Sequence, residues 1–389
     1  MKTLCILTAT RAEYGLLHPI IEKMILQPDI DVRVVVTGAH LSPEFGMTIH
    51  EIENDGVKID KSIEILMSSD TPVAISKSMG LAMISFAEYF SELQPDALMV
   101  LGDRYETLAV CSAAMNARVP IIHLHGGETT EGAVDEAVRH AITKMSYLHF
   151  TSTETYRKRV IQLGESPERV YAVGAMGVEN ALTTSLMTKD ELEASLGIEL
   201  GEKYAVGTFH PVTLENQSAE QQANQLIEAI SEFPEYTFVF TKANADSNGR
   251  VINEMLAQAT EKYKNIVLFD SLGMRRYLSA VKGASFVIGN SSSGLIEVPS
   301  FHIPTINIGD RQKGRIKGTT VIDCEPESES IIWAIRKAID ASFVSSIQDS
   351  LNPYGDEKTS ERIVSITLEY LVNNKMELKK KFYDVEFEV

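Results

Sequence analysis

This chain is poor in cysteine, in long apolar runs and in positive charge. Its three cysteines, Cys5, Cys111 and Cys324, are odd in number, far apart and without Cys-x-x-Cys spacing. That excludes a disulfide framework and a thiolate metal site, and reduced thiols are expected. No apolar run reaches ~18 residues, so no membrane-spanning helix is expected. Lysine and arginine number 36 against 54 aspartates and glutamates, a formal net charge of −18. Such a surface disfavours nucleic acid and anionic membranes as partners. An anionic substrate would need a local basic site. Neither Gly-x-Gly-x-x-Gly nor a P-loop occurs, which argues against dinucleotide and ATPase chemistry. The segment Met1–Leu7 is too short and too strand-like for a signal peptide, and the cytoplasm is the expected compartment.

What the chain does have is rhythm. Short apolar runs alternate with amphipathic segments from end to end. Strands are expected at 3–8, 32–37, 97–101, 119–123, 147–151 and 170–173, and again at 204–209, 236–241, 265–269, 286–289, 305–308 and 320–322. Helices are expected between them, among others at Leu16–Leu26 and Ile75–Leu93. This is the pattern of α/β proteins with parallel sheets. The length allows two full cores. A connection near Val173–Asn180 predicts Rossmann-like halves, 1–174 and 175–360, with a cleft between them. The helical spacing of Ile363, Ile366, Leu368 and Leu371 predicts a helix in 361–389 that packs back on the first half. The tail Lys375–Val389, basic at Lys379-Lys380-Lys381 and acidic afterwards, reads as a solvated end.

Between Asp103 and His140 lie six carboxylates (Asp103, Glu106, Glu128, Glu131, Asp135, Glu136) and three histidines (His123, His125, His140). They follow two apolar runs, 97–101 and 119–122, that read as buried strands. Ligands of open α/β sheets sit at the carboxyl ends of strands, so acid and base groups are delivered to one rim. His123-Leu124-His125 has no further ligand motif to complete a metal site, and no metal is expected. Asp29-Ile30-Asp31 precedes a strand and reads as a turn.

Other strand ends carry anion-binding chemistry. Thr10 can cap a helix whose first residue is Arg11, which joins backbone N–H groups to a guanidinium; the plain alternative is a surface Arg–Glu pair with Glu13. Gly289-Asn290-Ser291-Ser292-Ser293-Gly294 collects hydroxyls and free N–H groups before a short helix, and Glu297 within it can accept from a ribose diol. His210-Pro211 and Asn244-Ala245-Asp246 end two further strands. Gly309-Asp310-Arg311-Gln312-Lys313-Gly314-Arg315 is locally basic in an acidic protein.

Together these motifs resemble the UDP-N-acetylglucosamine 2-epimerases, above all the hydrolysing branch of bacterial sialic-acid pathways. The matching stretches are Arg11–Tyr14, Leu101–Glu106, His123–Glu128, Asp135–His140, His210-Pro211, Gly289–Pro299 and Gly309–Gln312. The resemblance implies a GT-B-like fold of two Rossmann-like domains. It implies conversion of UDP-N-acetylglucosamine and water to N-acetylmannosamine and UDP, by anti elimination to 2-acetamidoglucal and then addition of water. No cofactor is implied, and a homodimer or homotetramer is. Proton transfers would fall to Asp103, Glu128, Asp135 and His125, with the residue that abstracts at C2 left open. Arg11, Arg104, His210, Asn244, Ser271, Ser291, Ser292, Glu297 and Arg311 would hold the UDP-sugar. Some relatives carry glutamate where this chain has His125. A related substrate, UDP-2,4-diacetamido-2,4,6-trideoxyglucose, and a non-hydrolysing reaction are the alternatives. A GT-B glycosyltransferase would not need the carboxylate cluster, and a nucleotide-sugar sensor would need only the anion cradle.

Overall fold

The computed structural model describes residues 1–69, 71–130, 135–211, 218–243 and 249–386. Two compact units emerge. One comprises Met1–Glu128, Val134–Glu179 and Tyr354–Val389; the other comprises Thr129–Ala133 and Asn180–Pro353.

Among the described residues the first unit is built on seven strands: β1 Lys2–Thr8, β2 Ile30–Thr37, β3 Ile59–Ile63, β4 Ala97–Leu101, β5 Ile121–Leu124, β6 Leu148–Thr151 and β7 Val170–Ala172. All pairings are parallel, in the order β3-β2-β1-β4-β5-β6-β7. Helices cover both faces, so the central strands are apolar on both. Leu4 and Ile6 of β1 enter one core, and Cys5 and Leu7 enter the other. β3 is absent from the sequence expectation. Its middle is Asp60-Lys61-Ser62, and it lies at the sheet edge with Lys61 and Ser62 exposed, where polar residues are tolerated.

The helix Thr359–Val372 belongs to this unit and buries Ile363, Val364 and Leu371 in the same core as Leu17 and Ile21 of the helix Arg11–Ile25. Glu179 anchors its start. The carboxylate accepts from Ser360 N at 2.5 Å and from Lys23 Nζ at 2.9 Å, an anion where a helix N-terminus favours one. The following tail is exposed along most of its length, as expected of a solvated end, but Lys380 and the Tyr383 backbone tie it to the first unit. Lys380 Nζ donates to Lys144 O at 2.6 Å, Ser146 O at 2.8 Å and Glu165 Oε1 at 2.8 Å. Tyr383 N donates to Gly164 O at 2.9 Å, and the Phe382 ring lies where a Gly164 side chain would stand. Burial alone would raise the Glu165 carboxyl. Hydrogen bonds from His149, Lys144 and Lys380 outweigh it and hold the group at about 2.

Among the described residues the second unit has six strands: β8 Tyr204–Thr208, β9 Thr237–Thr241, β10 Ile266–Phe269, β11 Phe286–Gly289, β12 Thr305–Ile308 and β13 Val321–Cys324. They too are parallel, in the order β10-β9-β8-β11-β12-β13. In each unit the winding reverses beside the first strand, between β1 and β4 and between β8 and β11. Such a switch point leaves a crevice at the strands' carboxyl ends. Among the described residues, no helix is long and apolar enough to cross a membrane.

Candidate active site

At the first unit's switch point, β1 ends and Thr10 caps the helix Arg11–Ile25. Glu13 N donates to Thr10 Oγ1 at 3.3 Å, while Glu13 Oε2 accepts from Ala9 N at 2.8 Å and Thr10 N at 3.2 Å. This capping box turns Glu13 inward, not toward a surface pairing with Arg11. Its Oε1 is sealed from solvent and has no hydrogen bond among the described residues. Burial pushes the Glu13 carboxyl up to about 7 although Arg104 nearby pulls the other way.

β4 turns at Gly102, whose φ of 74° suits glycine, and presents Asp103. Arg104 donates from Nε to Glu106 Oε1 at 2.5 Å, and Glu106 is buried. His123 on β5 is a strut. Its Nε2 lies 2.8 Å from Gly102 O and its Nδ1 lies 3.2 Å from Thr143 Oγ1. A carbonyl only accepts, so Nε2 carries the proton and Nδ1 accepts from the threonine. Burial lowers this histidine to about 3, which keeps it neutral. Both ring nitrogens are engaged, so His123 supports the Asp103 turn from below.

His125 follows with a φ of 63°, left-handed for a residue with a Cβ, a conformation that costs on the order of 1–2 kcal/mol. Its N–H donates to Phe150 O at 2.8 Å. The next two residues must be small. A Cβ on Gly126 would meet His123 and Thr143 at 3.1 Å, and one on Gly127 would stand 2.5 Å from Tyr156 O. The turn, tied to β6 through Phe150 O, thus presses onto the helix Glu154–Gln162, and Glu128 at its end is only 3% exposed. Ser152 Oγ, just past β6, donates to Glu128 Oε1 at 2.8 Å, and His125 Nδ1 is 3.4 Å from the same oxygen.

Arg139, 2% exposed, joins these pieces. Its Nη2 donates to Asp103 Oδ2. Its Nη1 donates to Glu128 O at 2.9 Å and to Glu136 Oε2 at 3.2 Å. Asp135 opens the helix Asp135–Met145 that carries Arg139, one turn earlier. His140 Nε2 lies 3.2 Å from Glu136 Oε1. Asp103, Glu128, His125 and the start of the Asp135 helix thus share one buried network. Glu131 lies outside the described residues.

At the second unit's switch point the groups are different. Asn290 bridges the two strands: Oδ1 accepts from His210 N at 2.7 Å and Nδ2 donates to His210 O at 2.8 Å. Gly289 has a φ of 137°, and a Cβ there would fall 2.0 Å from Thr208 O. Arg311 Nη1 and Gln312 Nε2 donate to Asn290 O at 3.1 Å and 2.8 Å. Burial, aided by the Arg311 charge, lowers His210 to about 3. Ser291 Oγ accepts from Ser293 N at 3.4 Å. Ser292 precedes the short helix Ser293–Ile296 and Glu297 follows it. Backbone N–H groups, hydroxyls and a guanidinium here suit an anion. Ser271 is apart, at the end of the outer strand β10, where its Oγ accepts from Gly273 N at 3.0 Å. Asn244, with Ala245 and Asp246, lies outside the described residues.

Arg139, Ser152, Gln312 and the inward Glu13 were not given site roles from sequence. Three of them had a signal. Arg139 falls one turn after Asp135 on a single helix, Ser152 ends the strand beside β5, and Glu13 stands three residues after Thr10, the spacing of a capping box. Gln312 had none beyond its neighbours.

A family model described as UDP-N-acetylglucosamine 2-epimerase matches residues 23–368. An Escherichia coli polysialic acid biosynthesis protein, P7, is 43% identical over 386 residues, 99% of this chain and 98% of its own. A Campylobacter jejuni protein named as a hydrolysing GDP/UDP-N,N'-diacetylbacillosamine 2-epimerase is 43% identical over 325 residues, 83% of this chain and 84% of its own. The S. aureus MnaA–UDP co-structure superposes with a TM-score of 0.81 at 19% identity, covering 99% of this chain and 100% of that one.

Proposed function

This chain belongs to the UDP-N-acetylglucosamine 2-epimerase family, and from that premise we propose that it is a hydrolysing 2-epimerase of a UDP-sugar. The reaction is UDP-N-acetylglucosamine plus water giving N-acetylmannosamine plus UDP. A base takes the C2 proton while the bond from C1 to the UDP oxygen breaks, giving 2-acetamidoglucal. Water then adds its oxygen to C1, and a proton returns to C2 on the opposite face.

The observation that carries this reading is the network around Arg139, which holds the Asp103 carboxylate and the backbone of Glu128 on one guanidinium. The C2 hydrogen is weakly acidic, so the base must be placed accurately and departure of the leaving group assisted. Asp103, Glu128, Asp135 and His125 are the proton carriers of this proposal. Glu128, dry and steadied by Ser152, suits a group that must not wander between the two proton transfers. In the second unit, His210, Ser291, Ser292 and Arg311 hold the diphosphate and Glu297 the ribose, with Asn244 and Ser271 as further contacts; Arg11 and Arg104, further contacts of this proposal, belong to the first unit. The division of labour is thus a proton-transfer unit and a UDP-holding unit, in a homo-oligomer working in the cytoplasm.

The C. jejuni relative's name gives a second reading specific support: the same chemistry on UDP-2,4-diacetamido-2,4,6-trideoxyglucose. Proton NMR in D₂O separates the possibilities. Free N-acetylmannosamine deuterated at C2, with UDP, is the expected result from UDP-N-acetylglucosamine. Turnover of only the diacetamido substrate would move the assignment to the second sugar. Release of UDP-N-acetylmannosamine would overturn the hydrolytic reading.

A further inference from the structure

The helix Asp135–Met145, the turn after it and β6 form one helix-turn-strand segment. Both of its arms end at the acid rim. From the helix, Arg139 holds the Asp103 carboxylate, and Thr143 Oγ1 donates to His123 Nδ1 at 3.2 Å. From β6, Phe150 O accepts the His125 N–H at 2.8 Å, and Ser152, just past the strand, donates to Glu128 at 2.8 Å. Asp135 stands on the helix itself. All four proton carriers therefore hang on these two arms.

The turn at the far end is held by the C-terminal tail. The last carbonyls of a helix have no partner within it. Ser146 N donates to Ile142 O at 3.0 Å and Thr143 O at 3.1 Å. Lys380 takes the next carbonyls. Its Nζ donates to Lys144 O at 2.6 Å and Ser146 O at 2.8 Å, a cation where a helix C-terminus favours one. Its third bond, to Glu165 Oε1 at 2.8 Å, fastens it to a buried carboxylate that Lys144 and His149 also hold. An ammonium has three donors, and all three lock this turn. The Phe382 ring, 5.0 Å from Lys144 Nζ, lies over the same place.

We propose that Lys380 is a positioning residue for the proton-transfer groups, because clamping the turn at 144–146 sets the reach of both arms. Lys144 stands about 14 Å along the helix from Asp135, so Lys380 touches no reacting atom and acts only through the arms. A misplacement of about 1 Å in a catalytic group costs on the order of 100-fold in rate. The catalytic half of the proposal rests on the epimerase reading; the clamp itself does not.

The test therefore has two readouts. In Lys380→Met, amide hydrogen exchange within 139–151 is expected to speed up at least ~10-fold, with the helix Ser328–Ala338 of the second unit unchanged. On the UDP-sugar that the wild type turns over, kcat well below the melting temperature is expected to fall at least ~10-fold, with KM and UDP affinity kept. Lys380→Cys in a Cys324→Ser background, aminoethylated with 2-bromoethylamine, regains an ammonium of lysine length and is expected to recover both; Cys5 and Cys111 are buried. Lys381→Met, at the exposed neighbour, is expected to change neither. Unchanged exchange in Lys380→Met, or loosening spread evenly over the first unit, would overturn the clamp. Faster local exchange with full turnover would overturn the positioning role. A wild type inactive on both UDP-sugars would sink the epimerase reading and the catalytic half with it, while exchange still decides the clamp.

Discussion

The two sheets run in one order, with β1 and β8 each flanked by the second and fourth strands of their unit, yet their rims carry opposite chemistry. At the first, a buried arginine gathers carboxylates, and a strained histidine leans on one of them. At the second, an asparagine stitches the two strands together through its amide, and hydroxyls and a guanidinium surround it. The switch point decides where a ligand can sit. The side chains at the strand ends decide what chemistry that ligand meets. The first rim stores charge in a dry place and is therefore fragile. The second is mostly neutral and closely bonded.

The sharpest way to break this contrast is to empty each hub. Arg139→Met leaves Asp103 and Glu136 without their buried cation, and a loss of roughly 3–5 kcal/mol is expected in urea unfolding. Gln312→Ala, which removes one neutral hydrogen bond to Asn290 O, is expected to cost about 1 kcal/mol. Equal losses would erase the distinction between a charged and a neutral rim.

Next come the functional halves. Asp103→Asn or Glu128→Gln is expected to lower turnover at least ~100-fold, while calorimetry finds UDP affinity unchanged. Wild-type turnover in both would remove the acids from the chemistry. Arg311→Ala should do the reverse and weaken UDP by about 1.5–3 kcal/mol, the worth of a charge-assisted contact, with turnover at saturating substrate largely kept. Unchanged UDP affinity would count against the cradle.

The smallest expected effect is a pH dependence. Glu13 is raised by burial from 4.5 to about 7, so the fold favours its neutral form. The stability it contributes is complete below the ordinary value and is lost as pH rises through about 7. Glu13→Gln is therefore expected to flatten the stability profile between about pH 5 and about pH 8, by roughly 1 kcal/mol after allowance for its partial exposure. Parallel profiles would show that the sealed oxygen titrates normally.

Much of this was legible in the sequence, for physical reasons that also mark where legibility stopped. Central strands such as Ala97–Leu101 and Phe286–Gly289 are continuous apolar runs because helices cover both their faces. β3 was not legible, because an edge strand keeps polar residues at its centre. Asp103 announced itself by following a buried run. Arg139 lies 36 residues further on, and only the packing of its helix brings it to the Asp103 carboxylate. His123 stood out as a titratable rim group, whereas burial and two hydrogen bonds make it a neutral strut. The reach of Lys380 to Glu165 spans 215 positions, and no local pattern reports such a contact.

The interleaving of the units has a consequence for how the protein is made. The second unit is nearly contiguous, Asn180–Pro353, whereas the first takes in both Met1–Glu128 and Tyr354–Val389. A ribosome delivers the first unit's seven strands early but withholds the helix Thr359–Val372 and Lys380 until the second unit has emerged. Through that interval Glu165 lacks one of its cations and the Leu17–Ile21 face lacks its cover. Synthesis order and completion order are thus inverted, and the half made first is the half that must wait.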